Sequence, residues 1–419
     1  MQARSLLFPF LGAKVDIFSL NPDAKPVAGE LVFLGHGGYG SVSRPTMHDT
    51  IHWSMQIETN PVHFYYNTLF PYLVRALRAV AAVAGSLASN MVLVPNVEYG
   101  IQCVLNSIPV QDGDEWVGFD FAYTAVATSM SFYATKRDAS YAQITTSWPI
   151  TTESLLSDLR LYLDAHPRTT LLCFEHITSP TAILMPLQDI INLCRQRNIL
   201  TLVDGAHGIG QVEIQLDEWQ PDFYVSNMHK WLCTSRPAAF LCTQHNYLDI
   251  QLAHQDYIHP LVITWGHGLG FQAEFIWQGT GDYSPYLSIP TAIRTFEWLG
   301  GLQPVMQRNA DMITWAGEYL SSAWETDTLV QREMSAPAMI SVRIPKRNVS
   351  LKPSINCIDD SCSFSTLHDQ LLKVHGIEIP VFTHMNQQYL RVSIHVYNTK
   401  EDVIKLATAV LKLQGISDD

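Results

Sequence analysis

Phe223-Tyr224-Val225-Ser226-Asn227-Met228-His229-Lys230-Trp231 is a short apolar run that passes into polar residues, a lysine and a tryptophan. Most lysines are solvated surface charges. Lys230 differs in its setting, because an apolar run precedes it and Trp231-Leu232-Cys233 follows, so its amine is expected beside a core. Desolvation there disfavours the ammonium and makes the amine nucleophilic. Twenty-six positions earlier, Leu200-Thr201-Leu202-Val203-Asp204-Gly205-Ala206-His207-Gly208 reads as a buried strand ending in a carboxylate, a tight turn and an imidazole.

Outward from this pair the chain alternates. Helical patterns run over 44–58 and 70–88, a strand ends at 91–96, and a helix opens at Val97. Residues 115–119, 169–174, 200–203, 223–225 and 238–242 read as strands, and 123–134, 152–165 and 187–197 as helices. Strands alternating with helices predict a largely parallel sheet covered on both faces. Such sheets take ligands beyond the carboxyl ends of their strands, where Asp204 and Lys230 fall. A helix over 286–299 ends at Gly300-Gly301, and the remainder reads as α+β, with a helix over 305–324, a strand at 338–342 and a last helix over 401–414. The expected organisation is an N-terminal arm over 1–45 packing with the small domain, a large domain over 46–300, and a small domain over 301–419.

The 419 residues suffice for two domains, and 47% hydrophobic with 16% charged residues describe a soluble globular chain with a large core. A net charge of −13 leaves no basic excess to neutralise phosphates, which argues against a nucleic-acid partner. Seven cysteines without zinc-like pairing point to a reducing compartment and to no metal site. The N-terminal apolar patch is broken by Pro9 and is too short for a signal peptide. The longest charge-free apolar stretch, 79–97, contains Gly85, Asn90 and Pro95, and reads as helix end, turn and strand rather than a membrane span. A soluble, cytoplasmic protein is expected.

A strand-end aspartate followed by a strand-end lysine suits pyridoxal 5'-phosphate (PLP). The lysine forms the imine, and the aspartate keeps the pyridine nitrogen protonated as an electron sink. His207, three positions after Asp204, is placed to donate to the cofactor's phenolic oxygen. On these residues the chain resembles the class V aminotransferase family of fold-type I PLP enzymes, and within it the isopenicillin N epimerase-like branch. The resemblance implies an α/β fold, with a large domain built on a mostly parallel seven-stranded sheet covered by helices and a smaller α+β C-terminal domain.

The same resemblance implies further roles. Glu175-His176-Ile177-Thr178-Ser179-Pro180-Thr181 is similar to the family's His-x-Thr-Ser-Pro-Thr segment, which implies cofactor contacts for His176 and Thr178, while Glu175 reads as a polar residue following a strand. Tyr123 holds the place of the aromatic that stacks on the cofactor ring, and Phe121 reads as core. Val97-Glu98-Tyr99-Gly100 stands where the family has Ala-Thr-x-Gly, and its backbone would meet the phosphate at a helix start. Glu98 departs from the family, since it sets a carboxylate beside an anion. Asn227 and His229 would flank the phosphate, and Thr280, in Gly279-Thr280-Gly281-Asp282, would reach it from the partner subunit. Arg391 lies in an alternating stretch over 390–396 and would clamp the substrate carboxylate. His36 and Tyr39, in Gly35-His36-Gly37-Gly38-Tyr39-Gly40, would bind substrate.

The implied enzyme is a homodimer with shared active sites. It would act on a small amino-acid substrate through an external aldimine and a quinonoid. The implied reaction is that of an epimerase, a lyase or a carbon–carbon bond-forming cyclase of specialised metabolism, rather than a true aminotransferase. A carbon–sulfur lyase of the ergothioneine type and a catalytically degenerate PLP-fold binding protein stand as alternatives. Relay of sulfur to a protein cysteine is not expected, since the nearest cysteines before Arg391, Cys357 and Cys362, lie more than twenty-five residues upstream. A rival reading takes Gly35-x-Gly37-x-x-Gly40 as a dinucleotide fingerprint, with Glu58 as the ribose acid.

Overall fold

Seven strands make the main sheet: Met91–Val94 (β1), Glu115–Phe119 (β2), Ser140–Ile144 (β3), Thr169–Glu175 (β4), Leu200–Asp204 (β5), Phe223–Asn227 (β6) and Ala239–Thr243 (β7). Their spatial order is β1-β7-β6-β5-β4-β2-β3. Pairing is parallel from β6 across to β3, and β7 runs antiparallel to both of its neighbours. The parallel strands are joined through helices, among them Val97–Ser107 (α1), Thr124–Lys136 (α2), Thr152–Ala165 (α3) and Leu187–Arg195 (α4). The computed structural model describes residues 7–8, 31–243, 258–345 and 366–415, so Cys357 and Cys362 lie outside the described residues.

Period-two alternation sets which side chains reach the sheet's business edge. Leu171 and Cys173 of β4, Leu202 of β5, and Phe223 and Val225 of β6 share one core with Val97, Ile101 and Val104 of α1 and Val126 and Met130 of α2. Continuing those rows on the same face brings Glu175, Asp204 and Asn227 to the carboxyl ends of three adjacent strands. Glu175 stands opposite Asp204 in the register, and Asp204 opposite Val225. β3 is the strand that the sequence pattern does not announce. It lies at the sheet edge, and only Ile144 of its five residues is buried, so the apolar signal is weak.

The chain divides into two compact units. The larger comprises Pro45–Thr178 and Leu184–Trp298; the smaller comprises Met1–Arg44, Ser179–Ile183 and Leu299–Asp419. In the smaller unit, Met339–Arg343 (β8), Val381–His384 (β9) and Gln387–Ser393 (β10) form an antiparallel sheet in the order β9-β10-β8. Helices Leu302–Trp324 and Lys400–Leu413 cover it through Ile313, Leu320, Val403 and Leu406. The second of these helices opens with a reciprocal capping box between Thr399 and Asp402.

The glycine fingerprint has no dinucleotide-binding context. Val32–Phe33 is a two-residue strand paired parallel with Ile377–Glu378, and one helical turn, His36–Tyr39, follows it. Glu58 lies inside the helix Arg44–Thr59 instead of at a strand end, so it does not hold the place of the fingerprint's ribose acid and the nicotinamide reading fails. Among the described residues, no helix is long and apolar enough to cross a membrane.

Candidate active site

The turn after β5 is built around Tyr224. A Cβ on Gly205 would stand 2.3 Å from the Tyr224 ring, and one on Gly208 would stand 2.1 Å from its hydroxyl, so only glycine lets the turn close there. Closure is secured by Gly205 N–H donating to the Val225 carbonyl at 2.7 Å, and by Ala206 N–H donating to Asp204 Oδ1 at 2.9 Å. Asp204 is buried at 4% exposure. Burial pushes its carboxyl up to about 6, Glu98 adds to the rise, and the Ala206 amide and Lys230 oppose it.

Lys230 sits on a one-turn helix, Met228–Trp231, that follows β6 directly. Its Nζ lies 3.3 Å from His207 Nε2, and the indole Nε1–H of Trp231 donates to His207 Nδ1 at 3.2 Å. The structure thus gathers Asp204, His207 and Lys230 at adjacent strand ends. Trp231 joins them, a residue whose sequence reading marks only an apolar neighbour.

The start of α1 is fastened to the same place. Asn227 Oδ1 accepts from Val97 N–H at 3.1 Å, and Asn96 caps the helix by accepting from Tyr99 N–H at 2.8 Å. Glu98 is half-buried in this first turn. His229 lies against the Ala238 carbonyl through Nδ1 at 3.0 Å, and burial with the adjacent Lys230 pushes its imidazole down to about 4, so it is neutral at physiological pH.

Glu175 is the site residue that the sequence reading passes over. It is 3% exposed, and Oε1 accepts the main-chain amide of Tyr123 at 2.5 Å, just ahead of α2. Oε2 is buried without a hydrogen-bond partner. Burial, then the field of Asp204, pushes this carboxyl up to about 7. The available signal is phase: Glu175 falls in step with Leu171 and Cys173, on the core face of its strand.

Other expected residues take different surroundings. Nδ1 of His176 lies 2.9 Å from the Tyr224 hydroxyl, and its ring meets Trp219 edge-on at 5.5 Å. Burial pushes this imidazole down to about 4. Thr178 is fully buried, Tyr123 is half-buried and Thr280 is exposed. Phe121 stacks on Phe119 with ring centroids 5.3 Å apart.

In the smaller unit, Arg391 of β10 is 5% exposed and gives Nη1 hydrogen bonds to the Ser179 carbonyl at 2.5 Å and to its hydroxyl at 3.1 Å. Gly37 comes close to the same guanidinium: a Cβ there would stand 3.4 Å from Arg391 Nη2 and 2.6 Å from Met339 Sδ. Three stretches far apart in sequence therefore converge on Arg391. His36 is wholly buried, with Nδ1 2.7 Å from the Tyr397 hydroxyl and its ring 4.4 Å from that of His395. Tyr39 is 79% exposed.

A buried carboxylate at a strand end, an imidazole against an amine, and a helix start fastened beside them form a donor set that fits PLP. The carboxylate suits the ring nitrogen, the amine suits the aldehyde, and backbone amides suit the phosphate. Residues 75–246 match the class V aminotransferase family. L-Cysteine desulfhydrase of Arabidopsis thaliana is 27% identical over 417 residues, covering 91% of this chain and 87% of the relative. Isopenicillin N epimerase of Amycolatopsis lactamdurans is 24% identical over 91% of this chain and 94% of its own. Among solved structures, the cystine C–S lyase C-DES, in complex with its reaction product cysteine persulfide, superposes with a TM-score of 0.73 at 18% identity, over 91% of this chain and 97% of that one. By its strand order the chain has the fold of the fold-type I, PLP-dependent enzymes, and by its strand-end Asp204 and Lys230 and these matches it is similar to the class V aminotransferase family.

Proposed function

We propose that this PLP enzyme is a carbon–sulfur lyase acting on a cysteine-type amino acid. The observation that carries the reading is the contact between Lys230 Nζ and His207 Nε2 beside the buried Asp204. When bound, the cofactor draws electrons from the substrate's Cα. Asp204 supplies the negative charge opposite the ring nitrogen, and Tyr123, ahead of α2, supplies an aromatic face. Lys230, as an amine, takes the Cα proton on Nζ while the Cβ–S bond breaks, its electron pair leaving with sulfur. The same Nζ then returns a proton to the leaving sulfur. Arg391 is the buried fork suited to the substrate's carboxylate.

Two features support elimination over relay of sulfur to the protein. All five cysteines among the described residues are buried. Burial pushes Cys103, Cys194 and Cys242 up to about 12 and Cys173 and Cys233 well above the usual thiol range, so none of them offers a thiolate. The reading includes a homodimer in which Thr280 acts on the partner's cofactor. Its support is the exposed apolar side chains of Val262, Ile263, Trp265 and Leu269, ahead of the helix Phe271–Ile276 that precedes Thr280, since such exposure marks a protein contact.

The test is to give the purified holoenzyme L-cysteine, L-cystine, S-conjugates of cysteine and cysteine sulfoxides, and to measure pyruvate, ammonia and released sulfur. Equimolar pyruvate and ammonia support the lyase. Inversion at Cα without pyruvate makes the enzyme an epimerase instead, and a visible spectrum that no amino acid alters would leave only a binding protein.

A further inference from the structure

We infer that Trp231 keeps Lys230 in its unprotonated, nucleophilic form by fixing the tautomer of His207. The inference rests on Lys230 being the cofactor lysine. An indole N–H can only donate, and a neutral imidazole has one N–H and one lone pair. Trp231 Nε1 donates to His207 Nδ1 at 3.2 Å, which occupies the lone pair and leaves the ring proton on Nε2. Nε2 faces Lys230 Nζ at 3.3 Å. An ammonium has three N–H groups and no lone pair, so it would set donor against donor; a neutral amine accepts.

His207 is 1% exposed and Trp231 wholly buried, so an unmatched donor between them is costly. Protonating His207 does not relieve the conflict, because a proton on Nδ1 would then face the indole N–H. The run from Trp231 N–H through Nδ1 and Nε2–H to Nζ is satisfied at every link only when Lys230 is an amine. The Asp204 carboxylate pulls the other way, favouring the ammonium, and the tautomer lock opposes it. Capture of an aldehyde consumes the Nζ lone pair: nitrogen bonds the carbonyl carbon, and its two hydrogens leave with the oxygen as water. A lysine held as an amine reacts without first shedding a proton.

Trp231→Phe keeps the ring and removes the N–H. The full-length apoprotein, prepared by stripping the holoenzyme, is mixed with PLP over a pH series, and capture is followed by stopped-flow absorbance. The midpoint of the pH–rate curve is expected to rise by about one unit, which slows capture about tenfold near pH 7 and leaves it unchanged well above the midpoint. The 15N spectrum of the His207 ring is expected to show the Nε2–H tautomer in the wild type and to lose that preference in the variant. Unchanged midpoint and unchanged 15N shifts overturn the inference. So does an Nδ1–H tautomer in the wild type, a result that stands even if the variant does not fold. Borohydride reduction followed by mass spectrometry separates the two levels. Label on another lysine sinks the cofactor-lysine reading, whereas label on Lys230 with an unmoved midpoint sinks the tautomer lock alone.

Discussion

The carboxylate of Glu175 accepts a hydrogen bond from the main-chain amide of Tyr123 at 2.5 Å, joining residues 52 positions apart at the end of β4 and the start of α2. The bond spares one oxygen from burial without a partner, and the other oxygen has none.

Glu175→Gln retains an acceptor for the Tyr123 amide and removes the charge. The carboxyl of Glu175 is raised to about 7 and that of Asp204 to about 6, both first by burial. For an acid whose folded value is raised, stability is fully present below the unfolded value and is lost as pH rises through the folded one. The wild-type apoprotein should therefore lose stability from about pH 4 to pH 7, on the order of 3 kcal/mol from Glu175. The Gln variant should lose less and be the more stable above pH 7. Urea midpoints across a pH series decide it, and parallel curves for the two proteins would count against the shift.

Asp204→Ala should lower turnover by about a thousandfold or more while weakening cofactor retention far less, because the carboxylate acts on charge that develops during reaction. Comparing kcat with the PLP dissociation constant checks this. Turnover within a few-fold of wild type would remove Asp204 from its proposed place.

Thr280 should act across a dimer. Lys230→Ala and Thr280→Ala proteins, each inactive alone, should regain partial activity when mixed and reassembled, since one site of each hybrid is intact. Hybrids that stay inactive, or a monomer by light scattering, would remove the shared site.

Arg391→Lys keeps the charge and loses the planar fork that holds the Ser179 carbonyl. KM for a carboxylate substrate should rise about ten- to a hundredfold, with a smaller change in kcat. An amine lacking the carboxylate should show no such difference between the two proteins. If KM for the amino acid does not move, Arg391 serves the packing of the smaller unit alone.

The sequence by itself determined the sheet, most of its strands, and the presence of Asp204, His207 and Lys230 at strand ends. Apolar runs of strand length broken by Gly and polar residues carry that information locally. It was weakest at the edge, where β3 keeps only Ile144 buried. It also could not say which partner a side chain would take. His36 is held by Tyr397, 361 positions away, and Arg391 by Ser179, 212 positions away. His176 turns to Tyr224, and His207 turns to Trp231. Such choices belong to the tertiary structure, because they depend on the register of strands distant in the chain and on which face period-two alternation presents. Glu175 shows the difference most plainly: its identity suggests a solvated acid, and its phase with Leu171 and Cys173 buries it instead. A buried group must find its hydrogen-bond partner within the fold, and the order of residues does not name that partner.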